Sequence, residues 1–290
     1  YFGQVHPVDI AFIEAGMGGL HDSTNLFSPL AVICPSIGLD HQAVLGNTHA
    51  EIATEKAGVL KNGASFIYAT DRTDVRDVFK QKANEEGSKT YELGKDFTAE
   101  GSSHSFDFIY KEQRLEGIAL AMAGQHQVAN ASLAIMASLL LQKDYPKVTP
   151  ELIKDALAHA SWLGRTEFLM PNLMIDGAHN NESVKVLIDL LRSEYADKDI
   201  ELLFAAIDTK PIDSMLAQLE SVGDLTVTSF EYPNSVKLDK YPVTYKQVSD
   251  FQTWIEEHVT ANDDKLYVIT GSLYFISQVR KWILEQESAV

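Results

Sequence analysis

The chain has 290 residues, and its 45% hydrophobic content is enough for one large or two ordinary domain cores. A formal net charge of −17 argues against a nucleic-acid partner, because nucleic-acid phosphates require a basic protein surface. The sequence has no apolar run near the roughly 20 residues of a membrane span and no cationic signal sequence, which predicts a cytoplasmic protein without a membrane partner.

Strand and helix patterns alternate in the first third of the chain. Residues 8–15 form a nearly continuous apolar run, typical of a strand buried on both faces. A glycine turn follows, and then an apolar run that contains Cys34, the single cysteine. One cysteine excludes an internal disulfide, and its apolar surroundings predict an inert buried thiol. The further predictions here are strands at 29–36 and 65–69 and helices at 48–59 and 73–85.

The pattern changes twice in the rest of the chain. Residues 90–118 show short polar–apolar alternations that predict an antiparallel ribbon, and residues 125–142 predict an amphipathic helix. The segment 143–150 contains two prolines and is the predicted linker. A second series of alternating strands and helices follows, which predicts a second doubly wound domain and a division into domains 1–145 and 146–290. Its predicted strands are 173–176, 200–207, 225–232 and 266–270, and its predicted helices are 182–195, 212–221, 249–260 and 272–286.

Three residues of the first domain have side chains suited to phosphate chemistry. Glu14 ends the first predicted strand, at the sheet edge where open α/β sheets bind ligands, and its carboxylate can either hold Mg²⁺ or cap the glycine turn. His41 follows the second predicted strand, a position where a lone histidine is more often structural. Lys56 lies beside Glu55 on a predicted helix, where such a pair is ordinarily a solvated surface feature.

Seven ordered blocks of the sequence resemble the folylpolyglutamate synthase/dihydrofolate synthase family, a branch of the Mur ligase superfamily. They are EAGMGGLHDSTN (14–25), SIGLDH (36–41), EKAG (55–58), GQHQVANASLA (124–134), LGRTEFL (163–169), IDGAHN (175–180) and ITGSLYFISQVR (269–280). The resemblance implies an α/β fold, in which a Mur-ligase-type central ATPase domain precedes a Rossmann-like C-terminal ligase domain.

The resemblance also implies an activity. A monomeric, ATP-dependent ligase with two Mg²⁺ ions would add L-glutamate to a folate through an acyl phosphate, and the acceptor would be tetrahydrofolate or, for a dihydrofolate synthase, dihydropteroate. Two alternatives stay open. A Mur-type peptidoglycan amino-acid ligase shares the fold and the mechanism, and a non-catalytic binding or regulatory chain would retain the fold without the reaction.

The family's motifs assign roles to residues of the first domain by resemblance. Glu14, His41 and Lys56 match metal ligands, with Lys56 carbamylated by CO₂ and therefore also catalytic. Carbamylation requires a neutral amine, hence a lysine pKa lowered by burial or by nearby cations. His21, Asp22 and Ser23 match the family's folate-facing loop. The family usually has Arg-Leu where this chain has Leu20-His21, which puts pterin specificity in question rather than ATP chemistry.

Further roles follow by resemblance from motifs near and beyond the linker. Asn130 and Arg165 match nucleotide contacts, although they could be a helix-surface amide and an arginine paired with Glu167. Asp176 matches a residue at the ATP ribose, and with His179 a catalytic pair, although these two could cap a loop. Ser272 matches the glutamate pocket or is merely a helix N-cap.

The phosphate-binding loop of the superfamily is not found in these 290 residues, since no G-x-x-x-x-G-K-[ST] occurs. The chain also starts at Tyr1 without an initiator Met, and residues 1–2 resemble the end of the helix that precedes the Glu14 strand in the family. We therefore expect a fragment that lacks the first portion of the ATPase domain and is inactive by itself.

Overall fold

The computed structural model describes residues 8–260 and 263–287, so the predicted helix end at residues 1–2 lies outside the described residues. The chain divides into two compact units. The first comprises 1–100, 107–116 and 129–153, and the second comprises 101–106, 117–128 and 154–290. The division into domains 1–145 and 146–290 stays a prediction.

The first unit is built on a parallel sheet in the order β1-β2-β3, with Ala31 of β1 aligned to Ser65 of β2. Parallel neighbours require a crossover, and helices supply it here. The elements are β1 (Ala31–Cys34), α1 (Gln42–Leu45), α2 (His49–Ala57), β2 (Ser65–Tyr68), α3 (Thr73–Glu86) and β3 (Thr90–Glu92).

Local sequence explains where these helices begin and end. Thr48 and Glu51 form a capping box, in which each side chain accepts a backbone N–H of the other residue, so α2 starts at the next residue, His49. Helix α3 stops at Gly87, whose φ of 66° suits a glycine C-cap. Its buried face consists of Val75, Phe79 and Ala83, spaced four residues apart.

The prediction of a strand at residues 8–15 is wrong. These residues form no strand, and their apolar side chains are largely exposed, with Phe12 at 88% and Val8 at 59%. A strand buried on both faces needs a neighbouring strand in its sheet, and among the described strands β1 pairs only with β2. Apolar composition alone therefore did not place this segment in a sheet.

A three-stranded sheet in the order β4-β5-β6 confirms the predicted ribbon for residues 98–118, whereas residues 90–92 form β3 of the parallel sheet instead. The strands of the ribbon are joined by two-residue turns, which permit only antiparallel neighbours. The predicted linker lies between two helices, and the second helix begins at Pro150, a residue favoured in the first helical turn. These elements are β4 (Thr98–Ser102), β5 (Ser105–Tyr110), β6 (Gln113–Ile118), α4 (Gln125–Leu141) and α5 (Pro150–His159).

The second unit contains a six-stranded sheet in the order β11-β10-β9-β12-β8-β7, parallel except for β7, which runs antiparallel to β8. Apolar layers cover both faces, one including Leu202 and Val268 and the other Leu203 and Ile269. This confirms the predicted doubly wound sheet. Its elements are β7 (Glu167–Met170), β8 (Leu173–Ile175), α6 (Asn181–Glu194), β9 (Asp199–Phe204), α7 (Ile212–Leu219), β10 (Asp224–Val227), β11 (Lys246–Gln247), α8 (Phe251–His258), β12 (Lys265–Thr270) and α9 (Leu273–Glu287).

No helix in residues 8–260 and 263–287 is both long enough and apolar enough to cross a membrane.

Candidate active site

The glycine loop of the first unit is organised by Asp22. Its Oδ2 accepts the backbone N–H groups of Gly16 and Met17, each at 3.0 Å. Its Oδ1 accepts the hydroxyl of Thr24 at 2.6 Å and the Thr24 N–H at 2.9 Å. These hydrogen bonds, the Thr24 hydroxyl first, lower the pKa of Asp22 to about 2. Asp22 is therefore ionised at neutral pH and fixes the loop.

The loop packs directly on the last turn of α2. The Leu20 N–H donates to the Glu55 carbonyl oxygen at 2.7 Å. A Cβ on Gly19 would lie 2.7 Å from the Lys56 carbonyl oxygen, and one on Gly58 would lie 2.4 Å from the Leu20 Cβ. Both positions therefore require glycine, because no larger residue permits this approach of two backbones.

His21 and Glu55 meet beside a cavity of about 470 Å³. His21 Nδ1 lies 3.2 Å from Glu55 Oε2, and the His21 side chain is 81% exposed against 23% for Glu55. Three loop residues predicted from the sequence, His21, Asp22 and Ser23, line this cavity. Glu55 lines it too, although the sequence reasoning treated Glu55 only as a neighbour of Lys56. Its lining residues are Met17, His21, Asp22, Ser23, Val44, Leu45 and Glu55.

The three predicted metal ligands lie in different local settings of the first unit. Glu14 is exposed and belongs to no strand. His41 is also exposed, and it precedes α1 with a left-handed φ of 53°. Lys56 is half-buried on α2. Across the described residues, no three His, Cys, Asp or Glu side chains gather as a metal site, so the metal roles and the carbamylation of Lys56 stay predictions.

Cys34 is buried on β1, as predicted. Burial raises the pKa of its thiol to about 11, and the nearby Lys56 only partly opposes this shift. The thiolate is the reactive form of cysteine, so the prediction of an inert thiol is supported.

The candidate site of the second unit surrounds Asp176, which directly follows β8. The Asp176 Oδ2 accepts the Thr166 N–H and its Oδ1 accepts the Ala178 N–H, both at 2.9 Å. Burial raises the pKa of Asp176, against the lowering effects of these two bonds and of the nearby Arg165 and His179 side chains. The structure thus brings together three of the predicted site residues of this unit.

Arg165 lies in a turn that is fixed from both sides. The Gly164 N–H donates to Glu167 Oε2 at 2.7 Å, and Gly177 N–H donates to the Gly164 carbonyl oxygen at 2.8 Å. Glu167 in turn accepts from Arg280 Nε at 2.8 Å. Glu167 therefore pairs with Arg280, and the alternative of an Arg165–Glu167 pair is not observed. In the described part of the chain, the Arg165 guanidinium makes no hydrogen bond or ion pair.

His126 is a further residue of this cluster that the sequence reasoning did not single out. It is half-buried, and burial together with the Arg165 charge lowers its pKa, which favours the neutral imidazole. The sequence feature that could have indicated a role for His126 is its position in the GQHQ motif. No spacing rule in the sequence predicted that it approaches Arg165.

The remaining predicted residues have clear local positions. His179 Nδ1 lies 2.8 Å from the Gly177 carbonyl oxygen, just before the capping box of α6. The buried Ser272 accepts the Tyr274 N–H at 3.2 Å, which is the contact expected of a residue that opens α9. Asn130 is exposed on α4, in the first unit. Their roles toward substrates stay predictions.

A larger cavity of about 740 Å³ lies along α9 in the second unit, and none of the sequence-predicted site residues lines it. Its lining is mainly apolar and also includes Arg280, Lys281 and Glu285. It adjoins the Arg165 turn, because Gly164 and Ile175 also line it.

Comparison with known proteins identifies the family of the chain. Residues 4–138 match the Mur ligase middle domain. The chain is 33% identical to a dihydrofolate synthase/folylpolyglutamate synthase of Bacillus subtilis, with 97% of the chain and 69% of the relative covered. The chain belongs to the folylpolyglutamate synthase/dihydrofolate synthase family.

Two further family members support the assignment. The chain is 30% identical to a folylpolyglutamate synthase of Lacticaseibacillus casei, with 99% of the chain and 70% of the relative covered. It also matches the solved structure of a folylpolyglutamate synthase complex with AMPPCP and folate, at 26% identity and a TM-score of 0.82, with 98% of this chain and 68% of that one covered. Family and fold class are thus as the sequence motifs predicted.

Proposed function

We propose that the protein is an ATP-dependent ligase that joins L-glutamate to a folate. The observation that carries the proposal is the cluster of Arg165, Asp176 and His179 in a chain of this family, since two separate sequence motifs converge there. The solved structure of a relative in complex with folate and AMPPCP, an ATP analogue, supports the same substrates here.

The proposed reaction has two steps. The γ-phosphoryl group of ATP passes to a folate carboxylate, giving ADP and an acyl phosphate. The amine of L-glutamate then attacks the acyl carbon, and the tetrahedral intermediate collapses to an amide as phosphate leaves and the amine loses a proton. Charge on the phosphoryl oxygens is what a ligase of this kind must stabilise.

Arg165 suits the stabilisation of this charge. A guanidinium is planar, permanently charged and able to bind two phosphate oxygens at once. Because Glu167 is paired with Arg280, the Arg165 charge is not neutralised by its nearest acidic residue in the sequence motif. We assign the nucleotide contact to Arg165, with Asn130 and Asp176 as further nucleotide-binding residues, and a catalytic role to Asp176 with His179.

Mg²⁺ would screen the phosphate charges when bound. The proposed ligands are Glu14, His41 and a carbamylated Lys56, and two of these three supply the oxygen atoms that Mg²⁺ prefers. Mg²⁺ needs only one or two protein carboxylates beside the substrate phosphates, so a site of three clustered acidic or histidine side chains is not required. The half-burial of Lys56 supports its proposed modification.

We assign the folate to the first unit, where His21, Asp22 and Ser23 line a cavity of about 470 Å³. Ser272 is assigned to glutamate binding. The preference between tetrahydrofolate and dihydropteroate, the monomeric state and the cytoplasmic location stay predictions.

The test is an assay of the protein expressed from its complete reading frame, with ATP, Mg²⁺ and labelled glutamate. We expect label to enter tetrahydrofolate with one ADP formed per glutamate added, and Arg165→Ala to lower kcat by about 100-fold or more. Parallel reactions contain dihydropteroate or a UDP-linked muramyl peptide as the acceptor. Ligation to the muramyl peptide alone would establish the peptidoglycan alternative, and folate binding without any ligation would establish the non-catalytic one.

A further inference from the structure

The backbone around Arg165 is fixed by hydrogen bonds. Three consecutive peptide N–H groups are each fixed, that of Gly164 by Glu167 at 2.7 Å, that of Arg165 by the Trp162 carbonyl oxygen at 3.1 Å, and that of Thr166 by Asp176 at 2.9 Å. The carboxylates of Glu167 and Asp176 therefore bind the peptide N–H groups on either side of Arg165. The direction in which the arginine leaves the backbone is set by these two carboxylates.

The turn is held in a strained conformation. Thr166 has a φ of 45° and Gly164 a φ of 72°, both in the left-handed region. A β-branched residue such as threonine is disfavoured there, because its Cβ approaches the following carbonyl oxygen. The Thr166 hydroxyl oxygen is buried and has no hydrogen-bond partner among the described residues. Such a conformation persists only where the surroundings impose it.

Arg280 supplies the anchor for one of the two carboxylates. Its Nε donates to Glu167 Oε1 at 2.8 Å, from helix α9, while Oε2 of the same carboxylate holds the turn. The Glu167 side chain is 18% exposed and that of Arg280 is 31% exposed, so solvent screens this pair less than a surface pair. The chain of contacts runs from α9 through Glu167 to the Gly164 N–H beside Arg165.

We propose that Glu167 and Arg280 are positioning residues, which fix the turn so that the Arg165 guanidinium is presented to the nucleotide phosphates. This inference rests on the proposed role of Arg165. Neither residue needs to touch a substrate. Their effect on the reaction passes through the backbone of residues 164–166, and it depends on the fixed geometry that efficient catalysis requires.

The experiment is a double-mutant cycle of Glu167→Ala and Arg165→Ala, in the protein expressed from its complete reading frame. Glu167→Ala alone should lower kcat by about 10- to 100-fold, as misplacement of a catalytic group by about 1 Å does. In the Arg165→Ala background it should lower kcat no further, because there is no guanidinium left to position. Glu167→Gln, which keeps an acceptor for the Gly164 N–H but loses the ion pair, should have a smaller effect.

Two controls separate positioning from mere stability. Asp250→Ala removes the N-cap of α8, where Asp250 accepts the Thr253 N–H at 2.8 Å, and should lower the Tm of the second unit with kcat unchanged. The double change Glu167→Arg with Arg280→Glu reverses the ion pair and should not restore kcat, since a guanidinium has no acceptor atom for the Gly164 N–H. Amide hydrogen exchange of the 290-residue chain should be faster at residues 164–166 in Glu167→Ala and unchanged there in Asp250→Ala.

Each unfavourable result has its own meaning. If the losses of kcat from Glu167→Ala and Arg165→Ala multiply independently, or if exchange at 164–166 is unchanged, the positioning role is wrong while the proposed function stands. An Arg165→Ala enzyme as active as the parent also overturns the positioning role. If the unaltered protein binds folate and ATP but ligates nothing, the proposed function itself fails, and the exchange measurement still decides whether Glu167 holds the turn.

Discussion

Asp22 in the first unit and Asp176 in the second each use one carboxylate to hold a glycine-containing turn, under different conditions. Asp22 accepts four hydrogen bonds near solvent, and its pKa falls to about 2. Asp176 accepts two backbone hydrogen bonds but is only 8% exposed, and its pKa rises. Hydrogen bonding decides the direction of the pKa shift at Asp22, and loss of hydration decides it at Asp176.

The surroundings of Asp22 and Asp176 also differ. The Asp176 turn follows a strand inside a six-stranded sheet whose two faces are covered by apolar side chains. The Asp22 loop follows residues 8–15, which form no strand and expose Phe12. A site carboxylate can thus be buried in the second unit because the framework around it excludes water, whereas the Asp22 carboxylate lies near solvent in a loop that its hydrogen bonds and close packing on α2 keep in place.

The largest expected effect tests whether the first unit takes part in the reaction through Lys56. In the protein expressed from its complete reading frame, Lys56→Ala should lower turnover by more than about 100-fold, because losing residues that merely orient a metal ligand already costs about 10–100-fold. A short carboxylic acid such as acetate should partly restore activity by supplying the missing oxygens.

Lys56→Arg is the matched control for that experiment. It keeps the length and the positive charge but cannot take up CO₂ as a lysine does, so it should be as impaired as Lys56→Ala and should not respond to acetate. Full activity in either variant would show that no carbamate is needed, and the first unit would then contribute only binding.

Limited proteolysis of the 290-residue chain would test whether the two units are separate domains, and we expect a clear effect, though a smaller one than that of Lys56→Ala. The segment between α4 and α5, residues 142–149, contains turns and Pro146, so early cleavage there should release a stable C-terminal piece of roughly half the chain. This would support the domain boundary between residues 145 and 146. Cleavage spread evenly through 151–290 would show that the second half has no independent core.

The smallest expected effect is a difference in how acid changes the stability of the two units. The lowered pKa of Asp22 means that its ionised form stabilises the folded first unit above about pH 4, and that this contribution is lost as the pH falls towards about 2. The raised pKa of Asp176 has the opposite sign, because the folded second unit gains stability as the pH falls from neutral and this carboxyl takes up its proton.

Urea unfolding at a series of pH values would measure these contributions in Asp22→Asn and Asp176→Asn. The midpoint difference between the unaltered chain and Asp22→Asn should shrink on acidification below about pH 4. The difference for Asp176→Asn should move in favour of the unaltered chain as the pH falls from 7 towards 4. A common direction for both would mean that burial does not dominate at Asp176.

Much of the fold was predictable because its signals are local. The helix predicted at 48–59 contains α2, which starts at the local capping pair Thr48 and Glu51, and the mostly apolar strands predicted at 200–207 and 266–270 overlap the buried β9 and β12. The site motifs likewise identified Arg165, Asp176 and His179, which the fold brings together. These inferences needed only neighbours in sequence or a known family pattern.

The features that sequence reasoning missed depend on contacts between distant residues. Glu167 bonds to Arg280 and His21 to Glu55, and no periodicity in the sequence indicates either pair. Residues 8–15 mislead for the same reason, since a strand requires a partner and apolar composition cannot say whether one is present. The antiparallel direction of β7, by contrast, follows from its two-residue connection to β8, and it was missed because no strand was predicted at residues 167–170.

The distribution of two rare residue types gives each unit its own natural reporter. The single cysteine, Cys34, lies in the first unit, and all three tryptophans, Trp162, Trp254 and Trp282, lie in the second. With its pKa at about 11 and its sulfur buried, the thiol should react with a disulfide reagent only when the first unit opens. Reaction rate would then report the opening of one unit and indole fluorescence the unfolding of the other, in a single unlabelled sample.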